Sequence, residues 1–241
     1  MDPRHRFTAT VAQYQRHRPD YPPGLFDWLD SQVRGRIAVD LGSGTGILTR
    51  MLAERGWDVT GVEPNAAMRA SADNAGGARY VDGSAEALPL PDRSADLVIG
   101  AQAFHWFDLD RALPEIDRVG TELAVAVWNV RSPLGFAAAY EQVLLAFSSD
   151  YASVPKPGPT LDALRRSRPR GREVVFEHAQ VLDRDGLLGR AWSSSYVVHG
   201  VDDRAGFDAA LLAAFDAHQR EGRVRLDYHT RAWAWPLTPS G

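Results

Sequence analysis

The chain has 241 residues, 44% of them hydrophobic and 24% charged, enough to bury one full α/β core and unlike the composition of a disordered or fibrous chain. Its formal net charge is −4 with no run of Lys or Arg, so nothing draws in a polyphosphate backbone and nucleic acid is not an expected partner. Cysteine is absent, which excludes disulfides and thiolate metal sites.

The N-terminal stretch has no apolar leader-like core, and no apolar run approaches the roughly 20 residues that cross a bilayer. The expectation is a soluble, cytoplasmic protein with no membrane partner; oligomeric state is not readable.

In chain order, Leu25, Phe26, Leu29 and Val33 share one helical face after the turn-forming "YPPG". "RIAVDLG" reads as a first strand, followed by a helix carrying Ile47, Leu48, Met51 and Leu52 that stops at Gly56. "WDVTGVE", "ARYVDG" and "SADLVIGAQ" read as strands two to four, with a helix over "NAAMRASADNA". A helix over Asp110 to Arg118 precedes a fifth strand, "TELAVAVWN". Strands alternating with helices over about 130 residues predict a parallel sheet covered on both faces.

Past Arg131 the rhythm breaks. "GFAAAYEQVLLAF" predicts a helix, and residues 148–171 predict a loop or a helical insertion. "EVVFEHAQVLD" and the alternating "RVRLDYHTRAWAW" predict two closing strands, with one helix between them carrying Phe207, Leu211, Leu212 and Phe215. The expected architecture is α/β: a Rossmann-like, seven-stranded, mainly parallel sheet with helices on both faces and a helical insertion after the fifth strand. It forms a single domain over 1–241. Within it lie an N-terminal cap and helix (1–34), a cofactor-binding core (36–130), a substrate-side insertion (131–172) and closing strands and helices (173–241).

The densest signal is "VDLGSGTGILTR", residues 39–50, with glycines at 42, 44 and 46 between strand and helix. Glycine there permits positive φ and close approach of a ligand, and the N–H groups and helix start favour an anion. Position 47 is Ile, so the loop is not a Walker P-loop, which needs Gly-Lys-Ser/Thr. A dinucleotide pyrophosphate and the carboxylate of an amino-acid-like ligand both stay open. Glu63, at the end of the second strand and 17 residues past Gly46, suits a ribose diol in either case. Asp40 favours the amino-acid ligand, since it would repel a pyrophosphate and attract an ammonium.

Residues 12–130, through "VDLGSGTGILTRMLAERGWDVTGVEPNAAMRASA", "YVDGSAEALPLPDRSADLVIGAQAFHWFD" and "ELAVAVWN", resemble the class I S-adenosylmethionine-dependent methyltransferases. The likeness is to the small-molecule branch that includes the trans-aconitate-type enzymes, and it fades over the last hundred or so residues. The resemblance implies S-adenosyl-L-methionine as cofactor, with Gly42, Gly44 and Gly46 against its methionyl part, Asp40 at its ammonium, Glu63 at its ribose, and Pro64 among the cofactor-binding residues. It implies Ser84 and Ala85 at the adenine, although Ser84 stands where the family usually carries Asp. It also implies Tyr14 and Arg18 in a cap over the cofactor, and Gln102 beside the methyl donor.

His105, Trp106 and Phe107 follow the fourth strand, at the rim where open α/β sheets bind ligands. His105 is a candidate base or a pocket-shaping residue, and Trp106 and Phe107 are candidate substrate contacts or core. Trp128, Arg131 and Tyr21 complete the candidate substrate set, for a small-molecule acceptor with a carboxylate or a hydroxyl. His178, His199, His218 and His229 show no metal-ligand spacing, so no metal is expected. The rival readings are an NAD(P)-binding oxidoreductase and a non-catalytic S-adenosylmethionine-binding protein. A Tyr-x-x-x-Lys pair is impossible with Lys156 as the only lysine.

Overall fold

The computed structural model describes residues 18–154 and 156–237. Helix α1 (Pro23–Gln32) opens on two prolines, whose fixed φ suits a first turn, and it buries Leu25, Phe26 and Leu29. Strand β1 (Ile37–Leu41) runs into the glycine loop and α2 (Ile47–Ala53). Next come β2 (Asp58–Val62), α3 (Ala66–Ala75), β3 (Arg79–Val81), β4 (Ala95–Ala101) and α4 (Leu109–Val119). The side chains of Asn65 and Asp108 accept N–H bonds at the starts of α3 and α4, as N-caps do.

Strand β5 (Gly120–Arg131) is longer than the pattern suggested. Between it and β6 (Arg172–Leu182) stand α5 (Gly135–Phe147) and α6 (Pro157–Ser167). Three helices, not one, separate β6 from the last strand: α7 (Arg184–Trp192), α8 (Ser195–Gly200) and α9 (Arg204–His218), before β7 (Val224–Pro236). The first two escaped the periodicity argument because α8 has six residues and α7 carries Gly186 and Gly189, which weaken helical propensity.

The sheet order is β3-β2-β1-β4-β5-β7-β6. Strands β1 to β5 pair in parallel, while β7 runs antiparallel to both β5 and β6. The direction of winding reverses between β1 and β4, which opens a crevice at their carboxyl ends.

Alternation along the strands sorts the core. Val39, Leu41, Val98, Trp128 and Trp235 pack on one face with Phe104 and Ile116. Ala38, Leu97, Ile99, Val125 and Val127 pack on the other with α1 and α2. A third cluster, built on Tyr140, Leu187, Phe207, Leu211 and Tyr228, joins α5, α7 and α9 to β7. Among the described residues no helix is long and apolar enough to cross a membrane, and no group of three or more His, Asp or Glu could hold a metal ion.

Candidate functional site

Two cavities open at the carboxyl ends of the parallel strands. One, of about 550 Å³, is lined by Gly42, Gly44, Glu63, Pro64, Ser84 and Ala85, with Phe107 beside Gly42. The other, of about 520 Å³, is lined by Arg18, Tyr21, His105, Arg131, Arg190 and Tyr196, among others. Gln102 and Trp106 line both. Tyr14 lies outside the described residues.

The glycine loop differs in one respect from the sequence expectation. All three glycines take positive φ, but most of the loop's N–H groups are spent inside the fold. Gly42 and Ser43 both donate to the Val62 carbonyl at 2.9 and 3.2 Å, and Gly46 donates to Ser43. The Gly44 N–H goes to Glu63 Oε2 at 2.9 Å. The loop therefore offers a ligand a close, side-chain-free wall more than a row of open donors.

Gly46 lines neither cavity. It starts α2 at φ 78°, and a Cβ there would land on the Tyr80 hydroxyl and on Arg50, so its glycine is required by packing and backbone.

Glu63 is 6% exposed, with Oε1 on the Asn65 N–H (2.8 Å) and Oε2 on Gly44. Burial pushes its carboxyl upward, and those two N–H bonds and Arg69 oppose the rise. Each oxygen keeps a lone pair for a donor in the cavity.

Asp40 faces away from both cavities, toward α2, where Thr49 Oγ1 donates to it at 2.6 Å. Burial pushes its pKa up to about 7, helped by the charge of Glu63 and opposed by Thr49. Any influence on a ligand's ammonium passes through the loop.

Gln102 is a non-glycine residue at φ 57°, held there by its N–H bond to the Val127 carbonyl (2.8 Å). Such a conformation costs about 1–3 kcal/mol and is concentrated at functional sites; here it sits on the wall between the two cavities.

Trp128, a candidate substrate contact, is a core residue that lines neither cavity. Its indole Nε1–H donates to His105 Nδ1 at 3.4 Å. Burial pushes the His105 pKa down to about 4, so the imidazole is neutral near pH 7. With Nδ1 accepting, the hydrogen-bond network assigns the proton to Nε2. His105 then meets the cavity as a donor. Phe107, also placed with the substrate on sequence grounds, faces the glycine-loop cavity only.

Arg131 reaches its cavity already paired. Its Nε and Nη2 bond to Glu141 Oε2, and Tyr151 bridges the pair by donating to Glu141 Oε1. Sequence reasoning missed Glu141, Tyr151 and Arg190, which come from three different helical segments with no motif to link them.

Residues 39–123 match the family model of the methyltransferase domain. An uncharacterized methyltransferase of Mycobacterium bovis is 45% identical over 132 residues, 52% of this chain and 52% of its own length. One of Schizosaccharomyces pombe is 37% identical over 145 residues, 52% and 53% of the two lengths. The chain thus spans about half the length of the curated relatives it matches.

Among solved structures, a candidate type II methyltransferase of Anaeromyxobacter dehalogenans matches 92% of this chain and 99% of its own, with a TM-score of 0.67 and 28% identity. A candidate methyltransferase of an antibiotic biosynthesis pathway in Anabaena variabilis matches 90% and 98%, with a TM-score of 0.61 and 22% identity, and shares the fold. These likenesses support a class I S-adenosylmethionine-dependent methyltransferase. The sheet is the Rossmann-like methyltransferase sheet, parallel except where β7 enters.

Proposed function

We infer that the protein transfers a methyl group from S-adenosyl-L-methionine to a small organic acceptor, with a carboxylate oxygen as the favoured nucleophile and a hydroxyl as the alternative. The observation that carries this reading is the shared wall: two cavities of similar size meet at Gln102 and Trp106, beside the switch point of the sheet. The residues present fit the cofactor, because Gly44 leaves a stretch of wall without a side chain and Glu63 aims a buried carboxylate into the same cavity.

When bound, the cofactor supplies an activated methyl on a sulfonium with a neutral leaving group. The chain then has to hold, orient and exclude water. In this reading Glu63 accepts from the ribose hydroxyls, Ser84 and Ala85 meet the adenine, and Gly42 and Gly44 pack against the methionyl part. Asp40 adds negative charge behind the loop for the ammonium, and Arg18 and Tyr21 border the site from the N-terminal side. Placement of the reacting atoms about 3 Å apart is worth roughly 7–11 kcal/mol of barrier, and residues 131–172 contribute the acceptor side of that placement.

A carboxylate acceptor needs no base, which agrees with a His105 already protonated on Nε2 and able to donate to an acceptor oxygen. The sequence's likeness to the trans-aconitate-type branch points the same way. A cavity of about 520 Å³ suits a small molecule.

Calorimetry with S-adenosylhomocysteine and NAD(P)H, followed by methyl transfer from labelled S-adenosylmethionine to a panel of carboxylic acids and alcohols, tests the reading. Saturable uptake of S-adenosylhomocysteine and labelled ester are expected. Uptake of the nicotinamide coenzyme alone would overturn it.

A further inference from the structure

The acceptor cavity is unbalanced in charge. Arg18, Arg131, Lys156 and Arg190 line it, against Glu141 as the one carboxylate on its walls among the described residues. Glu141 is committed to Arg131 and Tyr151. Arg190 is different from Arg131. It is 3% exposed, its hydrogen bonds run to Ser194 Oγ (3.0 Å) and Tyr228 Oη (3.4 Å), and no carboxylate pairs with it among the described residues.

A guanidinium cannot shed its proton to escape burial, and an ion taken out of water without a counter-charge is destabilising by several kcal/mol. Two neutral hydroxyls do not offset that. A fold that retains such a residue on a cavity wall, where a hydrophobic side chain would be more stable, has a use for the charge. Lys156, whose ammonium sits 3.9 Å above the Tyr151 ring, adds a second cation to the same wall.

We propose that Arg190 is the seat of an anionic group on the acceptor, a carboxylate or a phosphate, distinct from the atom that is methylated. Arg190 lines the acceptor cavity alone, whereas Gln102 and Trp106 face both cavities. An anion held at Arg190 therefore anchors the molecule while another of its atoms lies at the shared wall. The inference rests on the methyltransferase reading for what the second cavity holds. The cation is Arg190 and not Arg131, the arginine of the sequence-derived substrate set, since Arg131 is paired with Glu141 and Arg190 has no carboxylate partner among the described residues. The competing source of negative charge is internal: the phenolate of Tyr196, whose hydroxyl lies 3.5 Å from Arg131.

The test follows thermal unfolding of the full chain with saturating S-adenosylhomocysteine while sodium benzoate or inorganic phosphate is titrated against sodium chloride at equal ionic strength. Wild type is expected to show saturable stabilisation by at least one of the two, and the better probe tells a carboxylate seat from a phosphate seat. In Arg190→Met the same probe should bind at least about tenfold more weakly, as for one lost charge-assisted contact, with S-adenosylhomocysteine affinity by calorimetry unchanged. The unliganded variant should melt at or above the wild-type temperature, because an uncompensated charge has been removed; a purely structural arginine would give a lower one.

If Arg190→Met does not fold, Arg190 is a structural residue and the inference is lost unless Lys156→Ala, an exposed change, weakens the probe severalfold. Equal anion binding in wild type and Arg190→Met overturns the proposal. So does cofactor-product binding with no anion-specific stabilisation of wild type, the result expected if Tyr196 supplies the counter-charge. Failure of S-adenosylhomocysteine to bind at all would instead strike the methyltransferase reading.

Discussion

Glu63 accepts the Gly44 N–H at 2.9 Å through Oε2 and the Asn65 N–H at 2.8 Å through Oε1. One side chain thus ties the end of β2 to the glycine loop that follows β1 and to the start of α3. The same carboxylate is the one proposed to hold the ribose, so its two roles must be separated experimentally.

Glu63→Ala is expected to weaken S-adenosylhomocysteine binding by roughly tenfold to hundredfold, the range for lost hydrogen bonds to a charged group. Glu63→Gln keeps one carbonyl oxygen and should lose less. Calorimetry on variants shown to be folded by circular dichroism measures both. Unaltered affinity in Glu63→Ala would remove the ribose assignment.

His105 tests the acceptor chemistry. A general base is typically worth about 10²–10⁴ in rate, whereas a positioning donor is worth less. His105→Asn, which retains a donor, should therefore lower kcat by less than about tenfold. With the imidazole pKa pushed down to about 4 by burial, no limb from this residue should cross the kcat profile between about pH 5 and 8. A large loss in kcat with a limb in that range would restore the base.

Asp40 carries a pH signature. Burial raises its pKa to about 7 in the folded chain, against about 3.9 unfolded. Between those values the folded state binds more protons than the unfolded one, so stability falls as pH rises through the window and levels off above about 7. Asp40→Asn should flatten that slope and gain on wild type from pH 5 to pH 7 in urea titrations. Parallel curves for the two proteins would contradict the burial argument.

Gly46→Ala should be destabilising by at least about 1 kcal/mol, since φ 78° is costly for alanine, and the melting temperature should drop by roughly 2–4 °C per kcal/mol. Because the new methyl meets the Tyr80 hydroxyl first, the double variant with Tyr80→Phe should recover part of the loss. Differential scanning calorimetry of the four proteins closes the cycle. Full additivity would show that the hydroxyl is not the obstacle.

The parallel half of the sheet was legible because each strand there is a short apolar run bounded by turn residues, and Gly42, Gly44 and Glu63 sit at fixed places relative to those strand ends. Even so, the loop's hydrogen bonds were not legible. Whether Gly42 donates to a ligand or to the Val62 carbonyl depends on how β1 and β2 are registered, which no local pattern encodes. The acceptor cavity was hidden for a stronger reason. Arg131 and Glu141 are 10 residues apart, and Arg131 and Tyr196 are 65 apart, so the distinction between a paired and an unpaired arginine appears only once α5, α7 and α8 have packed. Trp128 was misplaced because strand alternation turns it inward, under His105, while its neighbours in sequence reach the rim.

Strand β7 lies between β5 and β6, yet it is the last of the seven to leave the ribosome. Until it emerges, β6 has no neighbour to pair with, since its register runs along β7 from Arg172–Ala234 to Leu182–Val224. The nascent chain must therefore carry an unzipped strand and the intervening helices while the parallel strands can already associate, a topology of distant partners that slows closure. Translation arrest or nicking before residue 224 would expose the open edge of β5, a template for aggregation, and any split or permuted version of this protein should keep β6 and β7 on the same fragment.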